Sequence, residues 1–474
     1  MFASALALLV VATHARQVLW RDEAQPLVLA READDAVLLW RLLREEGTPG
    51  LWHLLLRALA GAGLLSPLAA QVLCAAAAVG FLITVLGTWR APLLFRAWVT
   101  VSGATAWYLV NVRQYALTLV LLVVLAELRA RAVRPGVQAA LLFLLCQSSL
   151  PGCWLAGAWW LHGLISPGVD GRTRRAAHVA MAVAAPLAVL QLWPVPGLLG
   201  RDGSLSLNLA ALPDALVALA RCTAGDPASA VLLGVMTWRI AVREHHRAWL
   251  AVVVALGGAA GVALGVALAA YPQPFQLWMM HFLWLALLRQ HVDAAWHWPR
   301  APIRNAVVAA AVALGAWDAW VEVEARWRLP ASRGAEVAAL LDQAVPEVPV
   351  LVRAEAFYTP VLAYRRNRPP TWSLARGAYV RFARWDHRSM DHVRNPDSEN
   401  LRMSDVVAQV RALPPELRDA WPVVVLSGLT LTHDVEGPPE RVLLGDGRAL
   451  ALVAELRGAI HESYRVYRVV PGAP

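Results

Sequence analysis

Lysine is missing altogether: all 43 Lys/Arg positions of the 474-residue chain are arginine. Charge is scarce as well, at 16% of residues against about 25% in an ordinary soluble domain. With 58% of residues hydrophobic, a cytosolic enzyme and a disordered chain both fit poorly, and a polytopic membrane protein fits well. Cysteine is limited to Cys74, Cys146, Cys153 and Cys222, too few for a disulfide scaffold. No CxxC or Cys/His cluster has zinc spacing, no Gly-rich nucleotide loop is present, and neither internal repeats nor low-complexity tracts occur. The net charge of +9 suits nucleic acid, but such a surface needs basic residues interleaved with aromatics on a soluble face. None is seen, so nucleic acid is not an expected partner.

What is present is a series of apolar runs separated by arginine clusters. They predict about 11 spans, near 2–19, 67–88, 93–110, 115–128, 137–150, 154–166, 179–194, 228–242, 248–270, 277–288 and 305–320. Several are shorter than the roughly 20 residues of a perpendicular span. Pro151-Gly152 marks a break between two of them. The first run lacks the basic start and small-residue cleavage site of a signal peptide, so it is read as a retained span. With the N-terminus cytoplasmic, Arg90 and Arg96, Arg129, Arg131 and Arg134, Arg172, Arg174 and Arg175, Arg239, Arg243 and Arg247, and Arg289, Arg300 and Arg304 all fall inside. The expected location is therefore the plasma (inner) membrane, multi-pass, with the lipid bilayer as a partner. The 22 tryptophans suit interfacial anchors.

Two larger pieces lie outside on this map. Residues 20–66 form an outer loop of the transmembrane domain (1–320), and its stretch LVLAREADDAVLLWRLLREE has helical spacing suited to the interface plane. Residues 321–474 read as a soluble extracytoplasmic α/β domain. Segments 349–353, 378–384 and 421–427 look like strands, and TPVLAYRR and SDVVAQVRAL look like helices.

Three segments carry candidate chemistry. Trp20-Arg21-Asp22-Glu23-Ala24-Gln25 sets two acids directly after the first span. They are either a solvated juxtamembrane pair or a general base, or metal ligand, for a hydroxyl acceptor. Glu46-Gly47-Thr48-Pro49-Gly50-Leu51-Trp52-His53 is, alone, a turn opening onto a helix. In Tyr108-Leu109-Val110-Asn111-Val112-Arg113-Gln114-Tyr115, the arginine and tyrosine either anchor at the interface or bind phosphate. His281, in LWMMHFLW after Tyr271-Pro272-Gln273-Pro274, is either a satisfied core histidine or a functional one. Asp386, His387, Asp391 and His392 read as a polar loop in preference to a metal cluster. Arg243-Glu244-His245-His246-Arg247 reads as a cytoplasmic loop.

Taken together, Asp22-Glu23-Ala24, Glu46-Gly47-Thr48-Pro49 and Arg113-Gln114-Tyr115-Ala116-Leu117 resemble the GT-C glycosyltransferases of the dolichyl-phosphate-mannose protein mannosyltransferase type and their bacterial relatives. The tail resembles the outer domain of bacterial members around Gly377-Ala378-Tyr379-Val380-Arg381 and Trp385-Asp386. The resemblance implies a GT-C-like fold and inverting transfer of a sugar from a polyprenyl-phosphate carrier to a hydroxyl of a glycan, lipid or protein acceptor. It implies Asp22 as catalytic base, Glu23 as a residue shaping the site and Arg113 near the donor phosphate. Tyr115, Thr48, His53 and His281 complete the expected substrate-binding set. Thr48 stands where the family carries His, and Asn111 where it commonly carries Glu. Thr48 is no base near neutral pH, and His53 is its nearest substitute. No cofactor is expected with certainty, and a divalent metal ion is left open.

Other readings remain at this level. One is a degenerate, non-catalytic member whose outer domain binds a partner. Another is a transporter or flippase, which calls for paired half-repeats and mid-span ionisable residues. An O-antigen-type ligase needs an Arg-rich late outer loop, and 195–227 holds only Arg201 and Arg221.

Overall fold

The computed structural model describes residues 2–193, 227–243, 279–291, 296, 301–383, 403–428, 439–458 and 462–472, apart from positions 34, 47, 167, 329, 354, 367 and 368. The expected span 248–270, the loop 195–227 but for Pro227, residues 244–247 and the Asp386–His392 cluster lie outside the described residues.

Helices occupy the apolar runs. In order they are α1 (Phe2–Arg16), α2 (Arg21–Glu32), α3 (Ala36–Glu46), α4 (Leu51–Gly61), α5 (Pro67–Leu82), α6 (Leu93–Val101), α7 (Gly103–Val110), α8 (Tyr115–Ala130), α9 (Pro135–Ser148), α10 (Leu150–Ile165), α11 (Gly171–Leu192), α12 (Pro227–Arg243), α13 (Met279–Gln290) and α14 (Ala301–Arg328). Among the described residues, three are long and apolar enough to cross a membrane: α5 with its continuation to Thr88, α11 and α14. The number rises to five if two bent pairs each count as one span, α1 with α2 (71°) and α6 with α7 (60°).

Local chemistry explains the helix ends. Ser66 caps α5 by accepting from the Ala69 N–H, with Pro67 in the first turn. Residues Ile83–Thr88 widen into a π-helical turn, where the Thr84 and Thr88 hydroxyls donate back to the Gly80 and Thr84 carbonyls. The break before Pro151 falls at Ser149, whose hydroxyl accepts from the Gly152 N–H. Gly152 is required there: a Cβ would sit 2.3 Å from the Leu145 carbonyl oxygen. At the end of α8, buried Glu127 pairs with Arg289 of α13 at 2.8 Å and with Arg131.

The C-terminal part is a sheet domain with α15 (Gly334–Ala344), β1 (Val350–Val352), α16 (Glu355–Tyr364), β2 (Thr371–Ser373), β3 (Ala378–Val380), α17 (Met403–Arg411), α18 (Pro415–Arg418), β4 (Val423–Gly428), β5 (Arg441–Leu443), β6 (Arg448–Leu456) and β7 (Ser463–Pro471). The strand order is β3-β2-β1-β4-β7-β6-β5. β1 runs parallel to β2 and β4, and the remaining pairs are antiparallel. The strand period of two divides the sheet's residues between two cores. Leu351, Val424 and Tyr467 face α17, packing on Val406, Val407 and Val410. Val350, Val352, Val423, Val425 and Val466 face the other way, onto α15, α16 and α2.

That last contact changes the picture of residues 20–66. Leu27, Val28 and Ala30 of α2 belong to the same core as the sheet, together with Trp52 and Leu56 of α4 and Ala70 and Cys74 of α5. Every residue of α2 from Glu23 to Ala30 is buried, so α2 has no open apolar face to lay on a bilayer surface. It is a helix of the tail domain's inner layer, supplied from the other end of the chain.

Candidate active site

Glu23 organises the site. It is 1% exposed, and α1 and α2 break around it. Gln17 Nε2 donates to its two oxygens at 2.7 and 2.9 Å, and the Val112 N–H donates to Oε1 at 2.9 Å. The Trp20 N–H donates to Oε2 at 3.4 Å, and Arg326 Nη1 of α14 lies 3.9 Å away. One carboxylate therefore ties the α1–α2 break to the α7–α8 connection and to the end of α14. Gln71 of α5 adds a bond to the Gln17 carbonyl at 2.5 Å.

This tie presents its neighbour Asp22 half-exposed in the first turn of α2, where the helix dipole favours a carboxylate. Asp22 Oδ1 accepts from Arg21 Nε at 3.1 Å, and Oδ2 lies 3.5 Å from Arg113 Nη1. The Arg113 guanidinium sits over the Tyr115 ring at 5.4 Å. Its Nε is buried and has no hydrogen-bond acceptor among the described residues. Burial works against the Arg113 charge, but Tyr115, Asp22, Glu46 and Glu23 outweigh it, and its pKa rises above the ordinary value.

The second segment closes one side. Thr48 is buried, and its hydroxyl accepts from Gln114 Nε2 at 3.3 Å. The Gly50 N–H donates to Gln191 Oε1 of α11 at 2.8 Å. His53, fully buried in α4, has no hydrogen-bond partner on either ring nitrogen among the described residues. Burial first, and the Arg113 charge second, push its pKa down to about 3, so its imidazole is neutral.

Six of the seven expected residues thus converge: Asp22, Glu23, Thr48, His53, Arg113 and Tyr115. His281 does not join them. It lies at the α6–α7 break, with Nε2 3.3 Å from Ser102 Oγ and its ring edge-on to Trp98. Its neighbour Phe282 packs on Tyr108, which in turn packs on Tyr115. Asn111 hydrogen-bonds Arg326 through Oδ1 at 3.2 Å.

Several contributors were assigned no role from the sequence. Gln17 and Arg326 hold Glu23. Glu46 stands in the field of Arg113 and accepts from Gln25 Nε2 at 3.2 Å. The tail domain contributes most. The Arg21 N–H donates to Glu462 Oε1 at 2.6 Å, the Leu19 N–H to the Tyr364 hydroxyl at 3.0 Å, and Gln25 Nε2 to the Ala383 carbonyl at 2.8 Å. Arg21 also lies over the Phe357 ring at 4.9 Å. Burial pushes the Glu462 carboxyl up to about 8. Among the described residues, no three His, Cys, Asp or Glu side chains converge as a metal site.

No family model matches the chain, and no curated protein or solved structure matches it. The functional reading therefore rests on the chemistry of this site.

Proposed function

We propose that the chain is a membrane glycosyltransferase that moves a sugar from a polyprenyl-phosphate carrier to a hydroxyl acceptor on the outer face of the membrane. In this reading eleven spans cross the plasma membrane, the N-terminus is cytoplasmic, and the tail domain is outside with Asp22 and Arg113. The observation that carries the reading is the pairing of a half-exposed carboxylate, Asp22, with the Arg113 guanidinium 3.5 Å away.

The chemistry follows from those two groups. The Asp22 carboxylate takes the proton of the acceptor hydroxyl. The hydroxyl oxygen attacks the anomeric carbon from the side opposite the phosphate, the bond from that carbon to the phosphate oxygen breaks, and configuration inverts. The departing phosphate gains negative charge, which the positive charge of the Arg113 guanidinium offsets. Tyr115 keeps the guanidinium in place through its ring face. Buried Glu23 holds the geometry and stays out of the chemistry.

The test is Asp22→Asn in purified protein supplied with a polyprenyl-phosphate sugar. Losing a general base lowers the rate by about 10²–10⁴-fold. Transfer at the wild-type rate in the variant refutes the mechanism.

A further inference from the structure

The tail domain holds a pocket that the transfer reading does not use. Its volume is about 500 Å³, and it is lined by Arg418, Asp419, Trp421, Asp446 and Arg448. It sits at the start of β4, whereas the Arg21–Glu462 contact lies at the other end of that strand, where Gly428 pairs with Ser463. At about 3.3 Å per residue, roughly 20 Å separates the two.

Three features mark the pocket as built. Trp421 is 40% exposed and has a φ of +52°, in the left-handed region that a bulky side chain rarely adopts. Its successor is Pro422, which biases the preceding residue toward extended backbone and adds to the strain. Strain of this kind on an exposed aromatic collects at ligand sites. The β5–β6 turn supplies another part of the lining. Gly445 and Gly447, at φ +76° and +79°, fold the β5–β6 turn tightly and place Asp446. Buried Arg448 donates to Asp446 Oδ2 at 2.9 Å and to the Arg418 carbonyl at 3.2 Å, joining that turn to α18. The lining is also charge-balanced, with two arginines against two aspartates.

We infer that this pocket binds a neutral pyranose unit of a saccharide, held by stacking on Trp421 and by hydrogen bonds to Asp419, Asp446 and Arg418. A balanced set of donors and acceptors gives an ion no net attraction but suits hydroxyls, which do both. The flat indole suits the C–H face of a pyranose ring. The site is distal to Asp22, so it holds a saccharide without processing it.

The experiment uses the full-length protein in detergent with immobilised neutral gluco-, manno- and galacto-configured hexasaccharides, with a sialylated oligosaccharide and inorganic phosphate as ionic controls. At least one neutral hexasaccharide is expected to bind, and Trp421→Ala to weaken it tenfold or more. Asp419→Ala, at an exposed side chain, is expected to weaken it with the fold intact. Trp421→Gly relieves the backbone strain, so it is expected to melt no lower than wild type and still lose the saccharide. Asp22→Asn is expected to bind as wild type, which keeps this inference separate from the transfer reading. Binding of the ionic controls alone, no neutral saccharide bound, unchanged binding in Trp421→Ala, or loss only in Asp22→Asn overturns it.

Discussion

Replacing Glu462 with Gln tests how the tail domain holds the candidate site. Glu462 is 2% exposed and accepts the Arg21 N–H at the start of α2. Burial raises its pKa from 4.5 to about 8, Asp22 adds to the rise, and Ser332 and Arg21 oppose it. The sign follows from proton counting. Between pH 4.5 and about 8 the folded protein keeps the proton that the unfolded chain has released, so stability falls as pH rises through this window. At about 1.4 kcal/mol per pH unit, the full loss by alkaline pH is on the order of 5 kcal/mol, an upper bound that relaxation reduces. Glutamine keeps an acceptor for the Arg21 N–H and cannot ionise. Glu462→Gln is therefore expected to match wild type at pH 4.5 and to be more stable at pH 7, with a larger gap at pH 9. Thermal unfolding in detergent at one scan rate, at the three pH values, measures the gap. A gap that stays constant, or widens toward acid, refutes the assignment of Glu462 as a buried neutral acid.

Three further outcomes are expected. Arg113→Ala removes the guanidinium beside Asp22 and is expected to lower kcat/KM for a lipid-phosphate donor about tenfold or more, with kcat falling, read from initial rates against donor concentration. Glu127→Gln strands buried Arg289 and is expected to destabilise the fold by about 3–5 kcal/mol, whereas a Glu127→Leu, Arg289→Met double variant recovers most of that in the same melting assay. Gly152→Ala forces a methyl to 2.3 Å from a backbone oxygen, and a stability loss of at least about 1–3 kcal/mol is expected.

The helices were legible because an apolar run has one economical solution, and the described runs fold that way. Strand β4 was legible from its unbroken valines, which fill both faces of the sheet. Strands β6 and β7 were not read. RALALVAEL is made of good helix formers, and its strand form is chosen by pairing with β7 across an irregularity between Leu452 and Ala454. The three site segments stood out because each puts charge or a turn where the flanking sequence is apolar. Arg326 and Glu462 carried no such signal: one lies in a charged helix end, the other in a polar tail segment, and only long-range packing brings them to α2. The same limit applies to His281, whose location beside Ser102 depends on where α13 crosses α6 and α7.

The sharing of α2 between the two ends of the chain has a consequence for where the protein can be divided. α14 runs unbroken to Arg328, so a cut after it looks harmless from the helix map alone. Yet Leu19, Leu27 and Val28, each at most 1% exposed, are buried against the tail's helices and sheet, and the Leu19, Arg21 and Gln25 hydrogen bonds end on tail residues. Exposing those three side chains forfeits roughly 1.5–3 kcal/mol each, a large share of the margin by which proteins are stable. A chain ending at Arg328 is therefore expected to lose the fixed geometry of Asp22, and with it any transfer activity, even if α5, α11 and α14 stay folded. Supplying residues 329–474 as a separate polypeptide is expected to restore protease protection of the 17–32 segment. A truncated chain that keeps wild-type protection there refutes the shared-core argument.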